Sequence, residues 1–129
     1  MPYLIDTQAA LWSAVGPKRL SAAALGVLRD PESMIFFSVA SIWEIAIKVS
    51  KGRLRLPNGI QQFIHKLRDK LHLVDLGIGE SHLYEVSQLP WHHRDPFDRV
   101  IIAQAKTEGL TVITSDRAFT LYDISVVLA

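Results

Sequence analysis

Short apolar runs typical of β-strands alternate along this chain with longer segments in which apolar residues recur at the spacing of an α-helix. In most cases a helical segment follows directly after a strand-like run. Alternating strands and helices are typical of proteins whose helices cover a mostly parallel sheet. The chain is therefore predicted to fold as an α/β three-layer sandwich, with a mostly parallel central β-sheet flanked by helices.

Capping and turn residues mark the ends of these segments. Ser21 precedes the second helical segment, Asp95-Pro96 opens the last one, and Gly109 follows its end. No linker or internal repeat divides the chain, so we expect one domain over residues 1–129. The predicted helices cover residues 7–15, 22–28, 40–51, 60–71, 79–89 and 96–108. The predicted strands cover residues 3–5, 34–38, 73–76, 110–114 and 124–128, with a brief turn or helix at 116–122.

Composition narrows the possible chemistry. The chain has no cysteine, which excludes disulfides, thiolate zinc sites and cysteine nucleophiles, and we expect a cytoplasmic protein. No uncharged run approaches the roughly 18 apolar residues of a membrane span, so we expect no membrane association.

The charge balance excludes a generic polycation. With 14 basic and 13 acidic residues the net charge is +1, so nucleic acid would be bound only by local patches. Two candidate patches, which fit solvated helix ends equally well, are Lys48, Lys51, Arg53 and Arg55, and His92, His93, Arg94 and Arg99.

Four acidic residues are predicted to gather at one edge of the sheet. Asp6 ends the first strand, Glu44 lies shortly after the second, and Asp116 follows the strand at 110–114. Asp98 is in the first turn of a helix that leads back to the start of that same strand, which places this turn at the same edge. Because ligands of parallel sheets bind outside the carboxyl ends of the strands, these four acids form the candidate site.

Each of these acids also has a purely structural interpretation. Asp6 and Asp116 suit helix caps, and Glu44 lies four residues before Lys48, the spacing of an exposed ion pair. Asp98 is more informative, because it lies on the apolar face of its helix. A buried carboxylate without a partner is costly, so Asp98 favours a bound ligand.

A divalent cation is a natural partner for converging carboxylates. In the absence of cysteine we expect a hard ion, Mg²⁺ or Mn²⁺, whose usual chemistry is with phosphates. Such an ion holds a phosphate and lowers the pKa of a bound water, so the predicted reaction is phosphodiester cleavage. Hydroxyl groups beside the acids are predicted to orient them or the phosphate; they belong to Thr7, Ser38, Thr114 and Ser115.

Four segments of the sequence together resemble a PIN domain of the VapC toxin type. They are Leu4-Ile5-Asp6-Thr7, residues 38–46 around Trp43-Glu44, residues 95–105 beginning Asp95-Pro96-Phe97-Asp98-Arg99, and Thr114-Ser115-Asp116. The resemblance extends over essentially the whole chain. It implies a parallel sheet sandwiched by helices, a ribonuclease dependent on Mg²⁺ or Mn²⁺, a cognate VapB-like or similar small antitoxin, and a homodimer.

The resemblance also implies roles for individual residues. Asp95 is a second acid at the same helix start as Asp98, but Asp95 already suits the cap, and the spacing from Asp98 to Ala105 fits the family pattern. The supporting hydroxyl is that of Thr114 or Ser115. The acidic metal site, with the catalytic role, is assigned to Asp6, Glu44, Asp98 and Asp116.

Three alternatives remain at this point. A metal-independent ribonuclease with His92 and His93 as base and acid, assisted by Arg94, needs another histidine brought close. A receiver-like signalling domain would collect acids at the same edge, but it needs a lysine after a late strand, where this chain has Asp116. A PIN fold retained purely as a binding module would not require all four acids.

Overall fold

The computed structural model describes residues 2–129 and contains a five-stranded sheet. All strand pairs are parallel, and the strand order is β3-β2-β1-β4-β5. The strands are Pro2–Ile5 (β1), Met34–Ser38 (β2), Val74–Leu76 (β3), Thr111–Thr114 (β4) and Val126–Leu128 (β5). β1 is therefore central, and its Ile5 lies opposite Phe37 of β2 and Ile113 of β4.

Each α-helix of the described chain is preceded either by a residue whose side chain binds a free backbone N–H of the first turn or by a glycine. The side chains of Asp6, Ser21, Ser38 and Asp95 each accept a hydrogen bond from an N–H group in the first turn of the helix that follows. The helices are Thr7–Val15 (α1), Ala22–Arg29 (α2), Val39–Ser50 (α3), Ile60–Leu71 (α4), Glu80–Val86 (α5) and Pro96–Glu108 (α6). Two 3₁₀ turns span Pro17–Arg19 and Arg117–Leu121.

Two hydrophobic cores cover the two faces of the sheet. Ile5 of β1 packs with residues of α1, α2 and α4, whereas the preceding Leu4 packs with α6 and the 3₁₀ turn around Phe119. This alternation follows from the strand geometry, in which successive side chains point to opposite faces. α3 contributes to both cores, with Ile45 in the first and Ala40 in the second.

The predicted α/β three-layer arrangement is confirmed, and most element ends agree within one or two residues. Two elements are shorter than predicted by two or more residues: α5 ends at Val86 and β5 begins at Val126. The guanidinium of Arg99 donates hydrogen bonds to the carbonyl oxygens of Val86 and Leu89, so the chain after Val86 turns around this side chain instead of continuing as a helix. Within residues 2–129, no helix has the length and apolarity needed to cross a membrane.

Candidate active site

Asp6 and Asp116 lie side by side at the carboxyl edge of the sheet, because they follow the paired strands β1 and β4. Thr114 connects them. Its hydroxyl donates a hydrogen bond to Oδ2 of Asp6 and accepts one from the backbone N–H of Asp116 at 3.0 Å. Thr114 is fully buried, so this connection is shielded from water.

Both aspartates also cap the segments that follow them. Oδ1 of Asp6 accepts a hydrogen bond from Ala9 N at 2.8 Å, and Oδ1 of Asp116 accepts one from Ala118 N at 2.9 Å. The capping interpretation is therefore correct for both residues. It accounts for only one oxygen of each carboxylate, and the second oxygen of each faces other groups of the site.

The Asp6 carboxyl is buried and does not ionise easily. Burial, together with the nearby charges of Glu44 and Asp116, outweighs the hydrogen bonds from Thr114 and Ala9 and raises its pKa from 3.8 to about 6. Asp6 is only 6% exposed. A buried carboxyl surrounded by other acids is a strong acceptor for a cation.

Asp98 is the least satisfied acid of the site. It is half-buried at the start of α6, and its carboxylate accepts no hydrogen bond from any described residue. Burial, followed by the charge of Asp95, raises its pKa to about 7; Glu44 and Asp6 add to the effect, while His93 opposes it. Asp98 therefore lies close enough to Glu44 and Asp6 for the charges of both to act on it.

Glu44 is held in place by α3, which begins directly after β2. The Ser38 hydroxyl caps this helix, and the Thr7 hydroxyl donates to the buried hydroxyl of Ser41 at 2.9 Å, tying α3 to the start of α1. The predicted pair with Lys48 is present, with Nζ 3.5 Å from Oε2 of Glu44. The Glu44 side chain is nevertheless only 17% exposed, so it is not a simple surface acid.

His93 is a member of this site that the sequence analysis assigned to a different role. Its Nε2 lies 2.8 Å from Oδ2 of Asp116, and its Nδ1 lies 3.0 Å from the Tyr122 hydroxyl. An ionised carboxylate can only accept, so Nε2–H donates to Asp116, and in the neutral ring Nδ1 accepts from Tyr122 O–H. The ring packs against Phe119 and Tyr122 and its side chain is 9% exposed, so its orientation is fixed.

The contact with His93 shifts the pKa of Asp116 in the opposite direction to the pKa values of Asp6 and Asp98. Burial raises the pKa of Asp116, but the hydrogen bonds from His93 and Ala118 N–H, with the charge of His93, outweigh this effect and lower its pKa below 3.8. Asp116 therefore ionises at lower pH than Asp6 and Asp98 do. One ligand atom from each of His93, Asp98 and Asp116 lies within 4.8 Å of the others.

This donor set fits a hard divalent cation. Carboxylate oxygens are the ligands that Mg²⁺ and Mn²⁺ prefer, whereas both ring nitrogens of His93 are engaged with Asp116 and Tyr122, so His93 supports the carboxylates. Asp98, half-buried beside other acids and without a hydrogen bond from the described chain, is the carboxylate whose charge a bound cation would neutralise most favourably.

The predicted RNA-contacting residues divide into exposed and interior ones. Lys51, Arg53 and Arg94 are exposed, and Lys48 is half-buried beside Glu44. His93, in contrast, is turned into the acidic site. It could have been assigned there from the sequence, because it lies in the loop leading into α6, whose first turn was already predicted at the carboxyl edge.

Arg99 requires a correction. It was predicted to contact RNA, but it is only 4% exposed, and its guanidinium donates hydrogen bonds to the carbonyl oxygens of Val86, Leu89, Pro90 and His93. The guanidinium also stacks on the ring of Trp91, 3.8 Å from its centroid. Arg99 therefore shapes the loop at 87–95 from inside and is not available to a phosphate.

Three further predicted residues have supporting positions. Asp95 is exposed and caps α6 by accepting from Phe97 N at 2.8 Å, which agrees with the cap assigned to it. Thr7 contacts Ser41 rather than an acid. Ser115 is half-buried between Thr114 and Asp116.

Comparisons with known proteins agree on one family. The family model described as PIN domain matches residues 3–124. Ribonuclease VapC22 of Mycobacterium tuberculosis is 29% identical over 115 residues, which cover 88% of this chain and 86% of that protein.

Two solved structures show the same fold. The structure of VapBC2 from Rickettsia felis bound to a DNA fragment from their promoter aligns with a TM-score of 0.77 at 15% identity, covering 99% of this chain and 98% of that chain. The structure of VapBC-1 from nontypeable Haemophilus influenzae aligns with a TM-score of 0.68 at 18% identity, covering 99% and 98%. At these identities the likeness shows the fold alone.

Proposed function

The chain belongs to the PIN domain family, and on that premise we propose that it is a divalent-metal-dependent endoribonuclease acting as the toxin of a toxin–antitoxin pair. The observation that carries this proposal is the Asp98 carboxyl, half-buried among acids, with its pKa raised to about 7. A relative that is 29% identical over most of both chains is a ribonuclease, which supports RNA as the substrate.

The proposed metal ligands are Asp6, Glu44, Asp98 and Asp116. A Mg²⁺ or Mn²⁺ ion bound to them would neutralise the phosphate charge, lower the pKa of a water nucleophile and stabilise the leaving oxygen. The chain's own contribution is to orient these oxygens. Thr114 holds Oδ2 of Asp6, and His93 holds Oδ2 of Asp116, so both carboxylates are kept in position before any ligand arrives.

Protonation connects the site to pH. Without a cation, Asp98 and Asp6 bind protons at higher pH than ordinary carboxyls do, because their pKa values are about 7 and about 6. Cation binding to these oxygens therefore releases protons, and binding strengthens as the pH rises through this range.

The proposed partner is a small antitoxin of the VapB-like kind. Structural neighbours solved as VapBC and FitAB assemblies support this partner. The Asp116 side chain is 44% exposed and offers a carboxylate to a basic side chain of such a partner. An apolar segment would fit the cavity of about 690 Å³ lined in part by Leu20, Leu25, Leu28 and Leu71. A homodimer is also part of this proposal.

The test is RNA cleavage by the purified protein in Mg²⁺ or Mn²⁺ and after exhaustive EDTA treatment, with the wild type, Asp98→Asn and Asp95→Asn. We expect cleavage only with a metal, products with a 5′-phosphate, loss of cleavage in Asp98→Asn and retention in Asp95→Asn. Cleavage that survives EDTA and leaves a 2′,3′-cyclic phosphate would refute the metal mechanism and favour the histidine alternative.

A growth assay tests the toxin role separately. Expression of the wild type alone should arrest growth, and co-expression of the antitoxin should restore it. Identical growth with the wild type and with Asp6→Asn would contradict the toxin role.

A further inference from the structure

An aromatic pair borders the carboxylate site. Trp43 and Phe97 meet edge to face, with ring centroids 4.8 Å apart and planes at 86°. Trp43 directly precedes Glu44 on α3, and Phe97 directly precedes Asp98 on α6. The pair therefore joins the same two helices that carry two of the four acids.

Trp43 is exposed although it is large and apolar. It is 56% exposed, whereas Phe97 is half-buried beneath it. A tryptophan in this position leaves apolar surface in water that a ligand can cover. The contact with Phe97 restrains the ring, so little side-chain freedom remains to be lost when a ligand binds.

Exposed cations lie just beyond the end of the helix that carries Trp43. Lys51 and Arg53 lie at the end of α3 and in the turn after it, and both are exposed. Lys51 follows Trp43 by eight positions, which corresponds to about 12 Å along the helix axis. An aromatic ring followed by cations is the combination that binds an unpaired nucleic-acid strand, with the ring under a base and the cations on the backbone.

We propose that Trp43, braced by Phe97, is a specificity-determining residue that stacks on an unpaired nucleobase adjacent to the cleaved phosphate. This inference rests on the proposed ribonuclease function. A base inside a duplex has both faces covered by its neighbours, so a ring at this position favours a base that is free of the stack. The choice of RNA over a protein ligand follows from the position of the ring beside the acids.

The experiment measures RNA binding separately from cleavage. It uses the Asp98→Asn protein in EDTA, which removes one repelling charge and prevents metal-dependent cleavage. Two RNAs are compared, an unpaired oligonucleotide containing 2-aminopurine and a blunt duplex of the same sequence. The added substitutions are Trp43→Leu, Trp43→Phe and, as a matched exposed aromatic on α5, Tyr84→Leu, since Tyr84 is 66% exposed.

Stacking on Trp43 gives a specific pattern of results. Trp43→Leu should raise the Kd for the unpaired RNA about tenfold and abolish the change in 2-aminopurine fluorescence, while Trp43→Phe should have a smaller effect. The Kd for the duplex should stay unchanged. Tyr84→Leu should bind both RNAs as its parent does. In the otherwise wild-type enzyme, Trp43→Leu should raise KM more than it lowers kcat.

Other outcomes overturn the inference. An unchanged Kd and KM in Trp43→Leu would show that no base stacks there, while the ribonuclease function would stand. A change in oligomeric mass or in antitoxin affinity, with RNA binding unaltered, would identify Trp43 as part of a protein interface. If the parent proteins neither bind nor cleave any RNA, the proposed function fails and this inference fails with it.

Discussion

Neutralising Asp98 should stabilise the protein when no metal is present. Asp98→Asn keeps the size of the side chain and removes the negative charge from a half-buried position that offers it no hydrogen bond within the described chain. The folded protein holds the Asp98 proton more tightly than the unfolded chain does, because burial and the charge of Asp95 raise its pKa in the folded state.

The size of the effect follows from this pKa difference. A carboxyl whose pKa changes from 3.8 unfolded to about 7 folded destabilises the folded state by about 4 kcal/mol once it is ionised in both states. Asp98 is only half-buried, so solvent screening reduces this to about 2 kcal/mol. Loss of a favourable charge at the N-terminus of α6 subtracts about 0.3–1 kcal/mol. The net expected gain is about 1–2 kcal/mol, or about 5 °C in Tm for a chain of this length.

The stability difference between the wild type and Asp98→Asn should increase with pH. A raised carboxyl pKa gives the wild type its full stability below about pH 4, and this stability is lost as the pH rises toward the folded pKa of about 7. Asp98→Asn has no carboxyl to ionise at this position, so it keeps this stability as the pH rises. The difference between the two proteins should therefore be small near pH 4, grow through pH 5 and 6, and level off above pH 7.

Thermal unfolding in EDTA at several pH values checks this prediction. Asp95→Asn is the matched control, because it neutralises an exposed acid in the same turn and asparagine caps a helix as well as aspartate. Its Tm should rise less than that of Asp98→Asn, because it removes only the part of the repulsion that Asp95 exerts on Asp98. Mg²⁺ or Mn²⁺ at constant ionic strength should then raise the Tm of the wild type and of Asp95→Asn much more than that of Asp98→Asn. An Asp98→Asn protein that is less stable than the wild type at pH 8, with an unchanged response to metal, would refute the role assigned to Asp98.

Three other predictions concern the groups that support the site. His93→Gln should lower kcat at least about tenfold, because the ring of His93 positions the Asp116 carboxylate, whereas His92→Gln should have little effect. Steady-state kinetics with equal losses in the two variants would contradict a positioning role for His93 alone. Thr114→Val should lower activity about tenfold or more, and Thr114→Ser should restore most of it, because the hydroxyl makes both hydrogen bonds that join Asp6 and Asp116. Equal activity of the two variants would exclude a role for the hydroxyl in holding the aspartates. Arg99→Ala should lower the free energy of unfolding, measured in urea, by about 2–4 kcal/mol, because it leaves several carbonyl oxygens without their donor. Arg94→Ala, on the exposed part of the same loop, should change it by less than about 0.5 kcal/mol. Similar small changes in both variants would show that the buried guanidinium adds no stability.

The helices, the strands and the edge at which the acids gather could be predicted from the sequence. α1, α4 and α6 have their predicted bounds, because caps, glycine stops and apolar spacing act within a few residues of one another. The parallel arrangement then places Asp6 and Asp116 at one edge, since every strand that is followed by a crossover helix ends there. No long-range contact has to be known for either step.

The arrangement inside the site depended on the tertiary structure. Thr114 meets Asp6 across 108 residues of chain, and His93 meets Asp116 across 23. Arg99 directly follows Asp98, yet its side chain lies under the loop at 87–95 rather than in solvent. Helical spacing predicts the face of α6 on which a residue lies. It does not predict which other segment of the chain packs against that face. Which oxygen Thr114 or His93 contacts, and whether an arginine is free or enclosed, is therefore decided only when the strands pair and the loops close over them.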